Sequence, residues 1–148
     1  MGTSWHRVTG MVVVLLLVLT ACGGGEKDKG ESEGGGTAAC DGSAIATAQL
    51  KIPKDFPTPD GVTFTDSNTE GPSRIAGGYF AGDLKDAHDQ WKSAFETAGW
   101  TVLADELDEH DSEVNYQPAD QSSTGQVKLG DDCKESGRTA VDVTDRPA

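Results

Sequence analysis

The sequence predicts a two-layer α+β domain, in which an antiparallel sheet of about five to six strands is covered on one face by a single helix. Residues 84–98 place apolar side chains at helical spacing. Short segments before and after them alternate apolar and polar residues, as half-buried strands do. The strand-like segments that follow the helix are joined mostly by short loops, which favour antiparallel neighbours. A single helix with one apolar face covers one face of such a sheet.

The sequence predicts where the helix begins, where it ends and which of its faces is apolar. Asp83 is a suitable N-cap, because its carboxylate can accept a hydrogen bond from the first turn. Gly99 suits the left-handed position after the last turn, and Trp100 is expected to contact Phe95 as in a Schellman end. The residues of the apolar face are Leu84, Ala87, Trp91, Ala94, Phe95 and Ala98.

Alternating patterns and turn residues predict the strands. They cover residues 62–66, 73–80, 100–107, 113–117, 126–129 and 139–144, with a turn expected over residues 67–72. Gly77 and Gly78 lie inside the second strand and indicate a bulge or a close backbone approach. Residues 41–52 fit either a short helix or a strand end.

Three prolines between residues 53 and 59 exclude both a helix and a central strand there. We interpret this segment as an extended strap across the domain, with Phe56 inserted into the core. The alternative is a proline-rich ligand for a partner protein.

The N-terminus carries the pattern of a secretory signal over residues 1–21. Arg7 precedes an apolar run that begins at Met11, and small residues end it. The run is shorter than the roughly 20 apolar residues that span a bilayer. Glycines follow at once, and these cannot prolong a spanning helix.

The end of this run, Leu19-Thr20-Ala21-Cys22, resembles the lipobox of bacterial lipoproteins. The resemblance implies that Cys22 receives a diacylglycerol on its thiol and becomes the new N-terminus after cleavage. It also implies acyl groups such as palmitate at that end, and a location on the extracytoplasmic face of the cell membrane. An ordinary secretory signal with a chance cysteine remains the alternative.

The chain after the predicted cleavage site is strongly acidic. It keeps all 25 acidic residues and loses only Arg7 from the 12 basic ones, which gives a formal net charge of −14. Such a charge argues against nucleic acid as a partner and against direct contact with anionic lipid headgroups. Residues 22–39 are rich in glycine and have no apolar side chain larger than alanine after Cys22, so we expect a flexible tether. Residues 40–148 then form one domain.

Two cysteines remain once Cys22 is assigned to lipid. Outside the cytoplasm, Cys40 and Cys133 are most simply a disulfide pair. The alternatives are two free thiols or a two-cysteine metal site, although neither a third cysteine nor a histidine stands nearby in the sequence to complete the ligand set.

Residues 105–113 hold the densest group of charged side chains. Several carboxylates could bind calcium, but their spacing is not that of an EF-hand loop, and a solvated hairpin turn has the same composition. His88 and His110 could act as an acid or a base, yet no nucleophile or ligand spacing accompanies them. We therefore expect His88 to be structural and assign no catalytic residue, metal or cofactor.

These observations predict a membrane-anchored surface lipoprotein whose domain binds a ligand or an envelope protein without catalysis. The outline of the domain resembles small uncharacterised domains found in bacterial lipoproteins, and this resemblance implies no activity. Two alternatives remain open: an envelope enzyme whose residues converge only in the folded chain, and a calcium-stabilised surface domain.

Overall fold

The computed structural model describes residues 40–148, which form one antiparallel sheet and one α-helix. The elements are β1 (Val62–Glu70), β2 (Ser73–Phe80), α1 (Leu84–Thr97), β3 (Thr101–Leu107), β4 (Asp111–Gln117), β5 (Ser123–Gly130) and β6 (Thr139–Pro147). Short 3₁₀ turns cover Thr47–Gln49 and Asp131–Ser136. The predicted α+β class, with a single helix packed on a sheet of six strands, is confirmed.

All neighbouring strands are antiparallel, in the order β1-β2-β6-β5-β4-β3. The last strand of the chain therefore lies between β2 and β5 and joins the two halves of the sheet. This order leaves β1 and β3 as the two edges. No helix among residues 40–148 is long and apolar enough to cross a membrane.

The strands are longer than the alternating pattern predicted. Residues 67–70, predicted to be part of a turn, continue β1, and β4 and β5 begin earlier while β6 ends later. Strand pairing, and not an alternation of apolar and polar residues, fixes these ends, which are polar whether they are exposed, as Glu70 is, or buried, as Ser112 and Ser123 are. Ser67 illustrates this, because its hydroxyl donates to the carbonyl of Ile75 and accepts from the backbone N–H of Lys51.

The helix begins and ends as its sequence predicts. Asp83 Oδ1 accepts a hydrogen bond from the backbone N–H of Asp86 at 2.9 Å. Gly99 has φ +75°, and the backbone N–H of Trp100 donates to the carbonyl of Phe95. The rings of Phe95 and Trp100 stack with centroids 5.7 Å apart, which completes the Schellman motif.

The strap interpretation of the proline-rich segment agrees with the structure. Phe56 is buried, and its ring lies 5.4–5.8 Å from the rings of four aromatic residues: Trp91, Phe95, Trp100 and Tyr116. The segment before it is irregular apart from the turn at Thr47–Gln49, and Ile45 donates a backbone hydrogen bond to Phe64 of β1. The core thus lies between the sheet, the helix and this strap.

Two glycines allow the backbone and a ring to approach closely. A Cβ at Gly78 would come within 3.0 Å of the Thr63 carbonyl, so the predicted close approach is present. The irregularity in pairing lies on the partner strand, between Phe64 and Asp66. A Cβ at Gly125 would collide with the phenol of Tyr116, which lies over that position.

The two cysteines of the described chain are bonded to each other. Cys40 and Cys133 lie with their Cα atoms 5.4 Å apart, a normal separation for a disulfide. Arg138 supports the same junction, because its guanidinium donates to the carbonyl of Cys40 and lies over the ring of Tyr79 at 4.2 Å. The start of the described residues is therefore linked covalently to the 3₁₀ turn between β5 and β6.

Candidate functional site

A polar cluster with a buried inner half and a solvent-accessible outer half joins α1 to β3 and β4. Nδ1 of His88 lies 2.7 Å from Oγ of Ser112, and Nε2 of His88 lies 3.4 Å from Oδ2 of Asp105. Lys92, one helical turn after His88, donates to the same Asp105 oxygen at 2.7 Å. His88 and Ser112 are only 4% and 2% exposed, respectively.

The charges in this cluster are balanced. The hydrogen bond from Lys92, together with the nearby imidazole, holds the pKa of Asp105 below its ordinary value. The same bond raises the pKa of Lys92. Because an ionised Asp105 can only accept, Nε2 of His88 carries a hydrogen, and in the neutral imidazole Nδ1 accepts from the hydroxyl of Ser112.

Hydroxyl, imidazole and carboxylate are the groups of a nucleophilic triad. A nucleophile must nevertheless meet its substrate, and Ser112 lies beneath the helix. Neither His88 nor Ser112 lines any of the four cavities described for residues 40–148. The arrangement therefore connects helix and sheet through hydrogen bonds, in agreement with the structural role expected of His88.

The acidic residues 105–113 are distributed over different partners. Asp105 turns to Lys92, while His110 contacts Asp131 at 2.9 Å across to the 3₁₀ turn. This carboxylate raises the pKa of His110. Within residues 40–148, no group of three or more His, Cys, Asp or Glu side chains is close enough to hold a metal ion.

The outer edge of the sheet at β3 combines exposure, apolar surface and negative charge. Leu103 and Leu107 are 54% and 40% exposed and are the large apolar side chains that residues 40–148 leave to solvent. Glu106 stands directly opposite Glu113 in the ladder between β3 and β4. Like charges at such a position destabilise the pair.

Three cavities described for residues 40–148 have volumes of about 370–410 Å³. One, of about 410 Å³, opens at the start of α1 and carries both signs of charge, with Asp131 and Arg138 among its lining residues. Another, of about 370 Å³, lies between the strap and β1 and is mostly apolar, with Ile45, Leu50 and Val62 in its wall. Sites for small ligands are commonly of this size.

A second carboxylate feature lies on the sheet face opposite the helix. Asp66 of β1 and Asp142 of β6 both pair with Gly77 of β2, so the two side chains flank a position with no side chain. Burial, with a smaller contribution from Asp66, raises the pKa of Asp142 to about 6. One oxygen of Asp142 is buried without a hydrogen-bond partner within residues 40–148.

The predicted site residues fall into two groups. Cys40 and Cys133 are brought together, whereas Cys22 and the predicted signal and tether lie outside the described residues. Sequence reasoning did not single out Ser112, Asp142 or the exposed Leu103. Leu103 could have been noticed because it interrupts the alternation of apolar and polar residues in its strand. The bulge of β3 lies at this position.

No family model, curated protein or solved structure matches this chain.

Proposed function

We propose that the chain is a lipoprotein anchored to the extracytoplasmic face of a bacterial cell membrane, and that its domain is a non-catalytic binding module. The observation that carries this proposal is the sequence Leu19-Thr20-Ala21-Cys22, at the end of a short apolar run and directly before glycines. A thiol at this position is the acceptor that lipid transfer requires.

The lipid supplies enough free energy for lasting attachment. Each buried CH₂ adds about 0.8 kcal/mol, and one acyl chain alone binds only marginally. A diacylglycerol on Cys22, with or without a third chain, therefore holds the protein at the membrane. The 17 residues between Cys22 and Cys40 reach roughly 21–25 Å if they behave as a flexible chain, which separates the domain from the headgroups.

The properties of the domain suit this location. Its disulfide belongs in an oxidising compartment. Its acidic surface favours solubility and is repelled by anionic lipid, so the domain extends away from the membrane. A binding role is favoured over catalysis because Ser112, His88 and Asp105, which have the side chains of a triad, are used to join helix and sheet.

Mass spectrometry of the N-terminus tests the anchor. Full-length protein expressed in a bacterium is expected to begin at Cys22 and to carry the mass of a diacylglycerol, with or without an additional acyl chain. The Cys22→Ala variant is expected to lack lipid and to leave the membrane fraction, whereas Ser32→Ala, a matched change in the tether, keeps both. An unlipidated N-terminus in the wild type refutes the anchor.

A further inference from the structure

We propose that β3 is the docking strand for an extended, basic segment of a partner protein, which adds to the sheet beyond β3. The inference rests on the proposed binding function and names the surface and the chemistry of the partner. Strand addition is a common mode of peptide recognition, in which main-chain hydrogen bonds give affinity and alternate side chains give specificity.

The first argument is that the edge is open. Within residues 40–148, β3 pairs with β4 alone, so its outward backbone groups are free to pair with another strand. The opposite edge is partly covered, because the backbone N–H of Ile45 donates to the carbonyl of Phe64 at 2.9 Å. The two edges of the sheet are therefore not equivalent.

The second argument is the apolar surface on the same strand. Leu103 and Leu107, the exposed large apolar side chains of residues 40–148, both lie on β3. Apolar side chains on an unpaired edge create a surface on which a further strand can pack.

The third argument is charge, and it selects the occupant. Glu106 faces Glu113, and Glu106 is in none of the ion pairs of residues 40–148. The turn after β3 adds Asp108 and Glu109, and β4 begins with Asp111. A Lys or Arg beside Glu106 would relieve this repulsion. A second copy of the chain would bring the same charges, with a formal net charge of −14 on each copy that begins at Cys22, so it is the disfavoured occupant.

The geometry defines the pattern of the incoming segment. Asp105 and Leu107 lie on the helix side, since Asp105 contacts Lys92 of α1 and Leu107 pairs with Ser112, which contacts His88 of that helix. Glu106 faces the other side. The partner strand therefore carries basic residues on the face of Glu106 and apolar residues on the face of Leu107. The bulge between Val102 and Ala104 confines regular pairing to residues 104–107.

The test uses the full-length chain in detergent and a capped peptide of eight residues in which Lys and Val alternate. The peptide is expected to bind, to bind more weakly as salt is added, and to protect the amides of residues 104–107 from hydrogen exchange. Two control peptides separate the contribution of charge from that of the backbone hydrogen bonds. An alternating Glu-Val peptide lacks the charge complementarity, and a Lys-Val peptide with alternate N-methylated amides lacks the backbone donors. Both are expected not to bind.

A matched pair of variants locates the site. Glu106→Lys and Glu70→Lys change the net charge equally, but Glu70 is exposed on β1 at the other edge. Glu106→Lys is expected to weaken peptide binding by about five- to tenfold, and Glu70→Lys by less than about twofold. Equal weakening by both variants would show that peptide binding depends on the net charge of the protein and not on β3, and would overturn the proposal.

Three further results would also overturn it: protection confined to β1, undiminished binding of the N-methylated peptide, or a dimer of the chain that buries β3. The outcome is independent of the anchor. Lipid missing from Cys22 in the mass spectrum refutes the anchor even if the peptide binds, and an unbound peptide refutes the docking strand even if Cys22 carries lipid.

Discussion

Nδ1 of His88 lies 2.7 Å from Oγ of Ser112, and this contact joins the middle of α1 to the first part of β4 across 24 residues of sequence. Both side chains are nearly devoid of solvent contact, so each depends on the other for its hydrogen bond. A buried polar group that loses its partner keeps the cost of its desolvation. The pair therefore contributes to stability mainly because each side chain supplies the hydrogen-bond partner that the other needs.

Replacing Ser112 by alanine should destabilise the fold by about 1–3 kcal/mol, because Nδ1 of His88 is left buried without a partner. Urea denaturation followed by tryptophan fluorescence measures the free energy of unfolding. Ser93→Ala is the matched control, since Ser93 lies exposed on the same helix, and its effect should stay within about 0.5 kcal/mol. Equal effects of the two changes on the free energy of unfolding would show that the contact does not stabilise the fold.

The fold was predicted best where its determinants are local. Asp83, Gly99 and Trp100 lie within one turn of the helix ends, and the sequence predicts both ends to within one residue. The polar ends of the strands were missed, because pairing with a neighbour and not burial keeps Ser67 in β1. The placement of β6 between β2 and β5 depends on contacts far apart in sequence, which an alternating pattern does not encode.

The candidate site also depends on contacts between residues far apart in sequence. A structural role is predicted for His88 because it borders an apolar helix face, but that pattern does not reveal its partners, which lie on two different strands. The edge position of β3 follows from the strand order, so the exposure of Leu103 and Leu107 could not be deduced from composition. The disulfide was predictable because the sequence has only two cysteines besides Cys22.

Truncation of Phe56 should detach the strap from the core. Its ring contacts four other aromatic rings, so Phe56→Ala is expected to cost about 3–5 kcal/mol, and Phe56→Leu less, because leucine fills part of the space. Thermal unfolding and near-ultraviolet circular dichroism would report the loss. Lys54→Ala, an exposed change in the same strap, is the control. A loss below about 1 kcal/mol for Phe56→Ala would mean that the strap contributes little to the core.

Removal of the disulfide should weaken the fold about as much as the truncation of Phe56 to alanine. The bond joins residues 93 positions apart, and closing a loop of that length is worth about 4.6 kcal/mol in the chain-entropy model. The double variant Cys40→Ser/Cys133→Ser, or the wild type in reductant, should therefore unfold at a much lower urea concentration. The Cys22→Ala variant keeps the disulfide and should unfold like the wild type. A midpoint that reductant does not move would contradict the prediction.

The carboxyl group of Asp142 should make stability depend on pH in an unusual direction for an acid. Burial raises its pKa to about 6 in the folded state. Between the ordinary value of an aspartate and about 6, the folded chain holds this proton more tightly than the unfolded chain does. Its contribution to the free energy of unfolding therefore decreases as pH rises through that interval, and it is largest below it.

The variant Asp142→Asn removes this dependence, because the amide cannot ionise. At pH 7 it should stabilise the fold by about 1–2 kcal/mol, and at pH 4 it should have little effect. Asp66→Asn should produce part of the gain, since the charge of Asp66 is a smaller cause of the raised pKa of Asp142. Urea denaturation at intervals between pH 4 and pH 7 provides the measurement, with the exposed Asp60→Asn as control.

If the difference between Asp142→Asn and wild type is the same at both ends of this range, the carboxyl group does not titrate there. A difference that grows with pH and is halved in the Asp66→Asn background would show that the two carboxylates interact across Gly77.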